Sequence, residues 1–453
     1  MLARILVKLL SIALVINLAF SARAWAADDI SIIRDAELEN IIRTYSTPIW
    51  RAAGVDPAAV HVYIVGDPTL NSFVAGGQNL FMNSGTILRS ETPNQLIGII
   101  AHETGHIAGG HLARTDEALR NATIQSIIAM VAGVAATVAA RNSEGAGGVG
   151  TAAVLGGQGV AQRSFLQFSI TQEASADQAA LTFLDRTQQS ARGLLQFFEI
   201  LQQQELLSAA HQDPWVRTHP LTSQRVEYVR EHVLHSRFAD AKDPPDLLEL
   251  HKRMKAKLAA FLQPPQTTLQ AIKADDNSVA ARYARAVAYY RIPDLKKAVP
   301  TIDGLISDYP NDPYFHELKG QMLFENGRIA EAVAPYEQAV KLMPTNALLR
   351  MELGQVQLET NDPKLVPKAL THLTEAVRFE DRNPDAWRFL AIAYGRSDNI
   401  GMMALALSEQ GIAAGDFTLA RQQAARALKL LPAGPAKQRA LDIQSEAKRE
   451  GRP

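Results

Sequence analysis

Leu96-Ile97-Gly98-Ile99-Ile100-Ala101-His102-Glu103-Thr104-Gly105-His106 sets an HExxH spacing at the end of an apolar run. A helix advances about 100° per residue, so residues four apart differ by only about 40°. His102 and His106 therefore project side by side, one turn apart, and can grip one metal ion. Glu103 stands next to His102, within reach of a water at that ion. The apolar residues before the motif are enough to bury its helix. Imidazole and carboxylate suit zinc, which takes three protein ligands plus water at catalytic sites.

The third ligand must come from elsewhere in the chain. Glu173, in Gln172-Glu173-Ala174-Ser175-Ala176-Asp177, is the best candidate. Asp177 lies four residues on and shares its helix face. It can accept a hydrogen bond from a ligand histidine and fix that ring's tautomer. Ala174, Ser175 and Ala176 are small enough to let this helix approach the first closely. His111 follows at Gly109-Gly110-His111, five residues beyond His106. That spacing is one short of a third histidine ligand of the metzincin kind, so His111 is read as a supporting residue. His219 precedes Pro220, lies in extended backbone and could point into a cleft.

The 453 residues contain no cysteine, which excludes disulfides, thiolate metal sites, cysteine nucleophiles and an acylated lipoprotein cysteine. Charge is balanced, 46 Lys+Arg against 47 Asp+Glu, giving no general electrostatic reason to bind nucleic acid or an anionic membrane. Arg4 and Lys8 precede an apolar run, Leu9 to Phe20, and Ala24-Trp25-Ala26 is an A-x-A site. This pattern predicts a secretory signal peptide over 1–26, cleaved after Ala26, and export. Ala122 to Ala140 is free of charge and Gly145 to Gln162 nearly as bland. With little Leu or Phe and many glycines, 122–162 reads as a flap near the site, with at most peripheral membrane contact.

Residues 27–262 mix strands with helices. Val62 to Val65 reads as a strand, and Gly76-Gly77 as a turn into a second strand, Asn79 to Asn83. Helical patterns follow, giving an α+β domain. Pro264-Pro265 marks a boundary, and 263–453 changes to alanine-rich helices. Pro313 to Asn346 is a unit of 34 residues with Gly320, Ala332, Tyr336, Ala339 and Pro344 at positions 8, 20, 24, 27 and 32. The spacing is that of tetratricopeptide repeats. Ala286, Ala298 and Pro310 fit the same grid from Val279. Gly354, Ala369 and Ala376 fit it from Ala347 with three residues inserted, and Ala420, Ala427 and Pro432 from Gly401. Pro384 to Ser397 supplies a further helix. Such repeats stack into an all-α solenoid that binds peptides or proteins.

Four blocks resemble the Ste-type HExxH zinc metallopeptidases, in particular the BepA-type periplasmic proteases with C-terminal tetratricopeptide repeats. They are Asn71-Ser72-Phe73 through Gly85, Ala101 through His106, Phe168-Ser169 through Asp177, and Thr218-His219-Pro220. The resemblance implies a zincin-like metalloprotease domain followed by the repeat solenoid. It implies one Zn2+ held by His102, His106 and Glu173, with Glu103 as general base. It makes Leu80, Phe81 and Met82 the edge strand to which substrate adds. It brings His219 to the active site, either to stabilise an oxyanion or to occupy the open zinc position in a latent form. Asp177 and Arg225 support the same pocket. The family often reads Ser-Arg before the third ligand; here Ile170 follows Ser169. The implied function is quality control of unfolded outer-membrane proteins. The repeats would dock substrate or the outer-membrane β-barrel assembly machinery. A repeat-based chaperone or adaptor with latent proteolysis is the alternative.

Overall fold

A computed structural model describes residues 31–111, 169–205, 219 and 221–450. The expected signal segment, the run 122–162, Phe168, Thr218 and Pro220 lie outside the described residues. Among the described residues, no helix is long and apolar enough to cross a membrane.

The N-terminal part holds one small mixed sheet. Its strands are β1 (Ile32–Ile33), β2 (His61–Val65), β3 (Ser72–Ala75) and β4 (Asn79–Asn83), in the order β1-β2-β4-β3. Alternation decides the faces. Val62, Ile64, Val74, Leu80 and Met82 enter the core, while Tyr63, Phe73 and Phe81 are half-buried on the other face. β3 and β4 form an antiparallel hairpin whose turn needs left-handed backbone at Gly76 and Gly77 (φ 56° and 97°). β4 then pairs parallel to β2.

This order corrects one expectation. Leu80, Phe81 and Met82 lie on β4, which has neighbours on both sides, so they are not an edge. The hairpin partner Ser72–Ala75 takes the outside position instead. The cause is non-local: the parallel pairing with β2 consumes the free side of β4.

Helix Ala36–Ala52 packs beneath the sheet, capped by the Asp35 carboxylate, which accepts from the amides of Glu37 and Leu38. Helix Pro93–Gly109 carries the HExxH motif. Pro93 opens it, the Thr92 hydroxyl accepts from the Gln95 amide, and left-handed Gly110 (φ 63°) ends it. Its residues from Gln95 to His106 are all buried. Two glycines set how closely other helices cross it. A Cβ on Gly98 would lie 2.8 Å from the backbone of Leu194 in helix Arg192–Glu205. One on Gly105 would lie 2.7 Å from the carbonyl of Ala176, in the helix that spans 169–186 among the described residues.

Beyond Pro264 the chain runs as helical hairpins. Val279–Arg291 pairs with Leu295–Asp308, Pro313–Glu325 with Ile329–Leu342, Ala347–Glu359 with Val366–Phe379, and Ile400–Ala413 with Phe417–Leu430. Pro384–Arg396 lies between the last two hairpins, and Pro435–Glu450 closes the stack. The small residues of the 34-residue grid are the contact points. A Cβ at Gly320 would meet the Tyr336 ring at 2.6 Å, and one at Gly354 would meet Leu373 at 2.5 Å. The fold is thus an α+β domain followed by an all-α repeat solenoid.

Helix Pro245–Leu262 is shared by both parts. Met254 and Leu258 enter the N-terminal core, while Ala260 enters the first repeat core. On it, fully buried Lys257 reaches Asp35 at 2.8 Å, Glu37 at 3.2 Å and Glu317 at 3.5 Å. Arg253 bonds Glu37 and Asp312, and the Tyr283 hydroxyl donates to Glu37 at 2.7 Å. One buried ionic network therefore ties the first helix of the sheet domain to two repeat helices. Removing one partner of such a network leaves charges buried and uncompensated. Lys257→Met should lower stability by about 3–5 kcal/mol, read as a lower denaturation midpoint, and should make the junction more open to limited proteolysis.

Candidate metal centre

Three separate elements bring four side chains to one buried point. His102 and His106 come from the motif helix, Glu173 from the helix 169–186, and His219 from just before helix Ser223–His235. One donor atom from each lies within 4.8 Å of every other. His102 Nε2 is 3.1 Å from His106 Nε2, 3.4 Å from His219 Nδ1 and 3.3 Å from Glu173 Oε2. Glu173 Oε1 is 3.4 Å from His106 Nε2, and Glu173 Oε2 is 3.1 Å from His219 Nδ1. Four ligands set tetrahedrally about 2.05 Å from an ion stand roughly 3.3 Å apart. Five of the six donor pairs, at 3.1–3.4 Å, match that spacing, and the donor set of three imidazoles and one carboxylate suits a metal such as zinc.

The surrounding residues orient these donors. Asp177 accepts from His102 Nδ1 at 2.9 Å, which turns Nε2 toward the cluster. Arg225 grips Asp177 through Nε at 2.6 Å and Nη2 at 2.9 Å, and reaches Glu173 through Nη1 at 3.1 Å. Its guanidinium lies 5.2 Å from the Phe198 ring centre. His111 Nδ1 meets His106 Nδ1 at 3.0 Å, so the second histidine is also held from behind. Gly109 makes this possible, because a Cβ there would sit 2.4 Å from the His111 ring.

Charge follows the same pattern. Burial disfavours the imidazolium of His102, but hydrogen bonds to Asp177 and Glu173 override it and raise the pKa to about 9. An ion binding there competes with a proton. Burial lowers His106 well below its ordinary value. Burial would raise Glu173, yet His219 and His102 hold it well below the usual carboxylate range. Burial would likewise raise Asp177, and the hydrogen bonds from Arg225 and His102 lower it instead. Glu103 differs. Burial pushes its carboxyl up to about 7, both oxygens lack a well-formed hydrogen bond, and His219 Nε2 is 3.9 Å away. The backbone of Val74, on β3, offers it only a minor stabilising contact.

His102, Glu103, His106, Glu173, Asp177, His219 and Arg225 thus occupy one locality, whereas Leu80, Phe81 and Met82 belong to the neighbouring sheet. Reading the sequence did not single out Phe198 or the backbone of Val74. The apolar period of helix Arg192–Glu205 is a signal for the first; strand order alone places the second.

Residues 33–233 match the model of Peptidase family M48. The N-terminal domain is an M48 peptidase domain. Residues 268–313 and 320–361 match tetratricopeptide-repeat models. Among curated relatives, the beta-barrel assembly-enhancing protease of Yersinia pestis is 22% identical over 379 residues, covering 80% of this chain and 73% of its own. The Escherichia coli (strain K12) protein of the same name is 21% identical over 376 residues, covering 81% and 74%. The yeast Tom70 crystal structure matches 79% of this chain and 86% of its own, at 11% identity and a TM-score of 0.32.

With its M48 peptidase domain the protein is a metalloprotease, and His102, His106 and Glu173 are held from behind by Asp177, His111 and Arg225 respectively. Asp177→Asn removes the carboxylate charge behind His102 and turns one of the two acceptor oxygens, shared between His102 Nδ1 and Arg225, into an N–H donor. It should weaken metal retention by about 10–100-fold in chelator competition, with helical content by circular dichroism unchanged.

Proposed function

We propose that this protein is a zinc endopeptidase of the periplasm that removes misfolded or stalled outer-membrane proteins. Its repeats would dock substrate or the assembly machinery. The single observation that carries the reading is the convergence of His102, His106, Glu173 and His219 beside a buried, poorly bonded Glu103. The printed names of the relatives supply the outer-membrane context, and the A-x-A leader pattern supports export. The division into 1–26, 27–262 and 263–453 is part of this proposal, with helix Pro245–Leu262 serving both cores.

His102, His106 and Glu173 would hold the ion, which when bound supplies Lewis acidity to water and carbonyl. The remaining work belongs to the chain. Glu103 takes a proton from the attacking water at its carboxylate and returns it to the leaving amine. Asp177 keeps His102 in the tautomer that presents Nε2. Arg225 neutralises Asp177 and Glu173 together, so that both stay ionised in a buried place. β3 receives the substrate strand, because Val74 on that strand lies against Glu103. Backbone pairing there gives affinity with loose side-chain demands.

His219 would take the fourth position on a bound ion. Its Nδ1 lies 3.1–3.4 Å from donors of Glu173 and His102, as a ligand would. A loosely selective protease so arranged cuts slowly while His219 holds that place and faster once it moves, and this observation favours controlled over constitutive cleavage.

Two comparisons test the reading. Zinc-loaded wild type should cut an unfolded protein such as casein; chelation or Glu103→Gln should abolish the cut. Equal cleavage by wild type and Glu103→Gln would leave a repeat-based adaptor as the function. His219→Ala should raise cleavage severalfold above wild type. A fall would give His219 an assisting role in catalysis instead.

A further inference from the structure

Three aromatic rings cross the outer face of the sheet in one row. Tyr63 on β2 stacks on Phe81 of β4, centroids 5.0 Å apart and planes at 19°. Phe81 stacks on Phe73 of β3 at 4.9 Å and 9°. Strand register puts Tyr63 opposite Phe81 and Phe81 opposite Phe73. All three are half-buried, while the opposite faces of the same strands are buried in the core. The row stops at β3, whose outer side carries no further strand among the described residues.

We propose that Phe73 is a specificity-determining residue. It selects a large apolar or aromatic side chain at one position of the substrate, and the preferred substrate is an extended segment with one apolar face. The inference rests on substrate adding to β3. A strand paired with β3 places one side chain directly across from Phe73, within cross-strand contact. An aromatic there continues the row by one ring. The next residues on the same face of β3 are Ala75, two along, and Asn71, two back, both small or polar. Selection therefore falls on one position rather than on every second one.

Alternation supplies the rest. Val74, next to Phe73, points to the opposite face and touches Glu103 through its backbone. Since β3 packs against the motif helix, substrate residues flanking the selected one lie on the sheet face turned toward that helix. The selected residue lies within about one or two residues of the bond presented to Glu103, given roughly 3.3 Å per residue. A segment that is apolar on one face and polar on the other satisfies both sides at once. Strands of an unfolded transmembrane β-barrel have this period-two pattern, with aromatics concentrated near the ends. The row thus narrows the substrate class without any deep pocket.

The test uses the full chain loaded with zinc and a set of polar peptides about twelve residues long. Each carries one Phe, moved one residue at a time, and a control carries Ala in its place. Cut positions are mapped by mass spectrometry. The cut bond should follow the Phe at a fixed offset, and the Phe peptides should be cut about threefold to tenfold faster than the control. Phe73→Ala should bring that ratio close to one, Phe73→Tyr should keep it, and Phe73→Leu should shift it toward aliphatic residues. Cuts that ignore the Phe, or a ratio unchanged in Phe73→Ala, would overturn the proposal. The Glu103→Gln chain provides a separate arm. Its binding of the same labelled peptides, read by fluorescence anisotropy, should show the same preference and lose it with Phe73→Ala. If no peptide is cut but binding follows the Phe, the proteolytic reading fails and the row stands. Cutting with no preference in either arm removes the row and leaves the protease.

Discussion

The site depends on the close helix crossing at Gly105 and Ala176. A side chain on Gly105 would collide with the backbone carbonyl of the second helix. With hydrogen there, Glu173 and Asp177 reach the motif helix from the same helix face. One joins the donor cluster and the other grips the back of His102. Arg225 then closes the unit, bonding both acids from a third helix. A buried group of this kind is costly unless each charge is answered. The geometry answers each one, leaving Glu103 as the poorly bonded acid next to where a substrate carbonyl would come.

The rest of the fold serves that crossing. The sheet brings β3 against the motif helix, so the free edge and the metal centre share one wall. The solenoid does not hang on a flexible tether. Helix Pro245–Leu262 contributes to both cores, and the Lys257–Arg253 network joins it to the first helix and to two repeat helices. Arg34, just after β1, also pairs with Glu380 at the end of the third repeat hairpin at 2.7 Å. The repeats are thereby fixed in place relative to the metal centre.

Local patterns were legible in the sequence; long-range pairings were not. The HExxH pair and the Glu173–Asp177 pair each depend on four-residue spacing in one helix. The repeat grid depends on small residues at fixed intervals, and helix bounds repeat from unit to unit because the contacts do. The outer strand was misplaced at Leu80 to Met82 because strand order is a property of distant segments. No local pattern says that β2 will pair with β4. β1 is only two residues long and leaves no alternation to read. His111 could be set aside as a ligand by its spacing. Its contact with His106 depends on the ring folding back over Gly109, which spacing does not reveal.

The central claim is that His102, His106, Glu173 and His219 converge on one metal ion. Anomalous diffraction at the zinc edge from crystals of the zinc-loaded full chain tests it most directly. The account predicts one strong peak, about 2.0–2.2 Å from His102 Nε2, His106 Nε2, a Glu173 oxygen and His219 Nδ1. A peak elsewhere, or one that lacks Glu173 among its contacts, would contradict it.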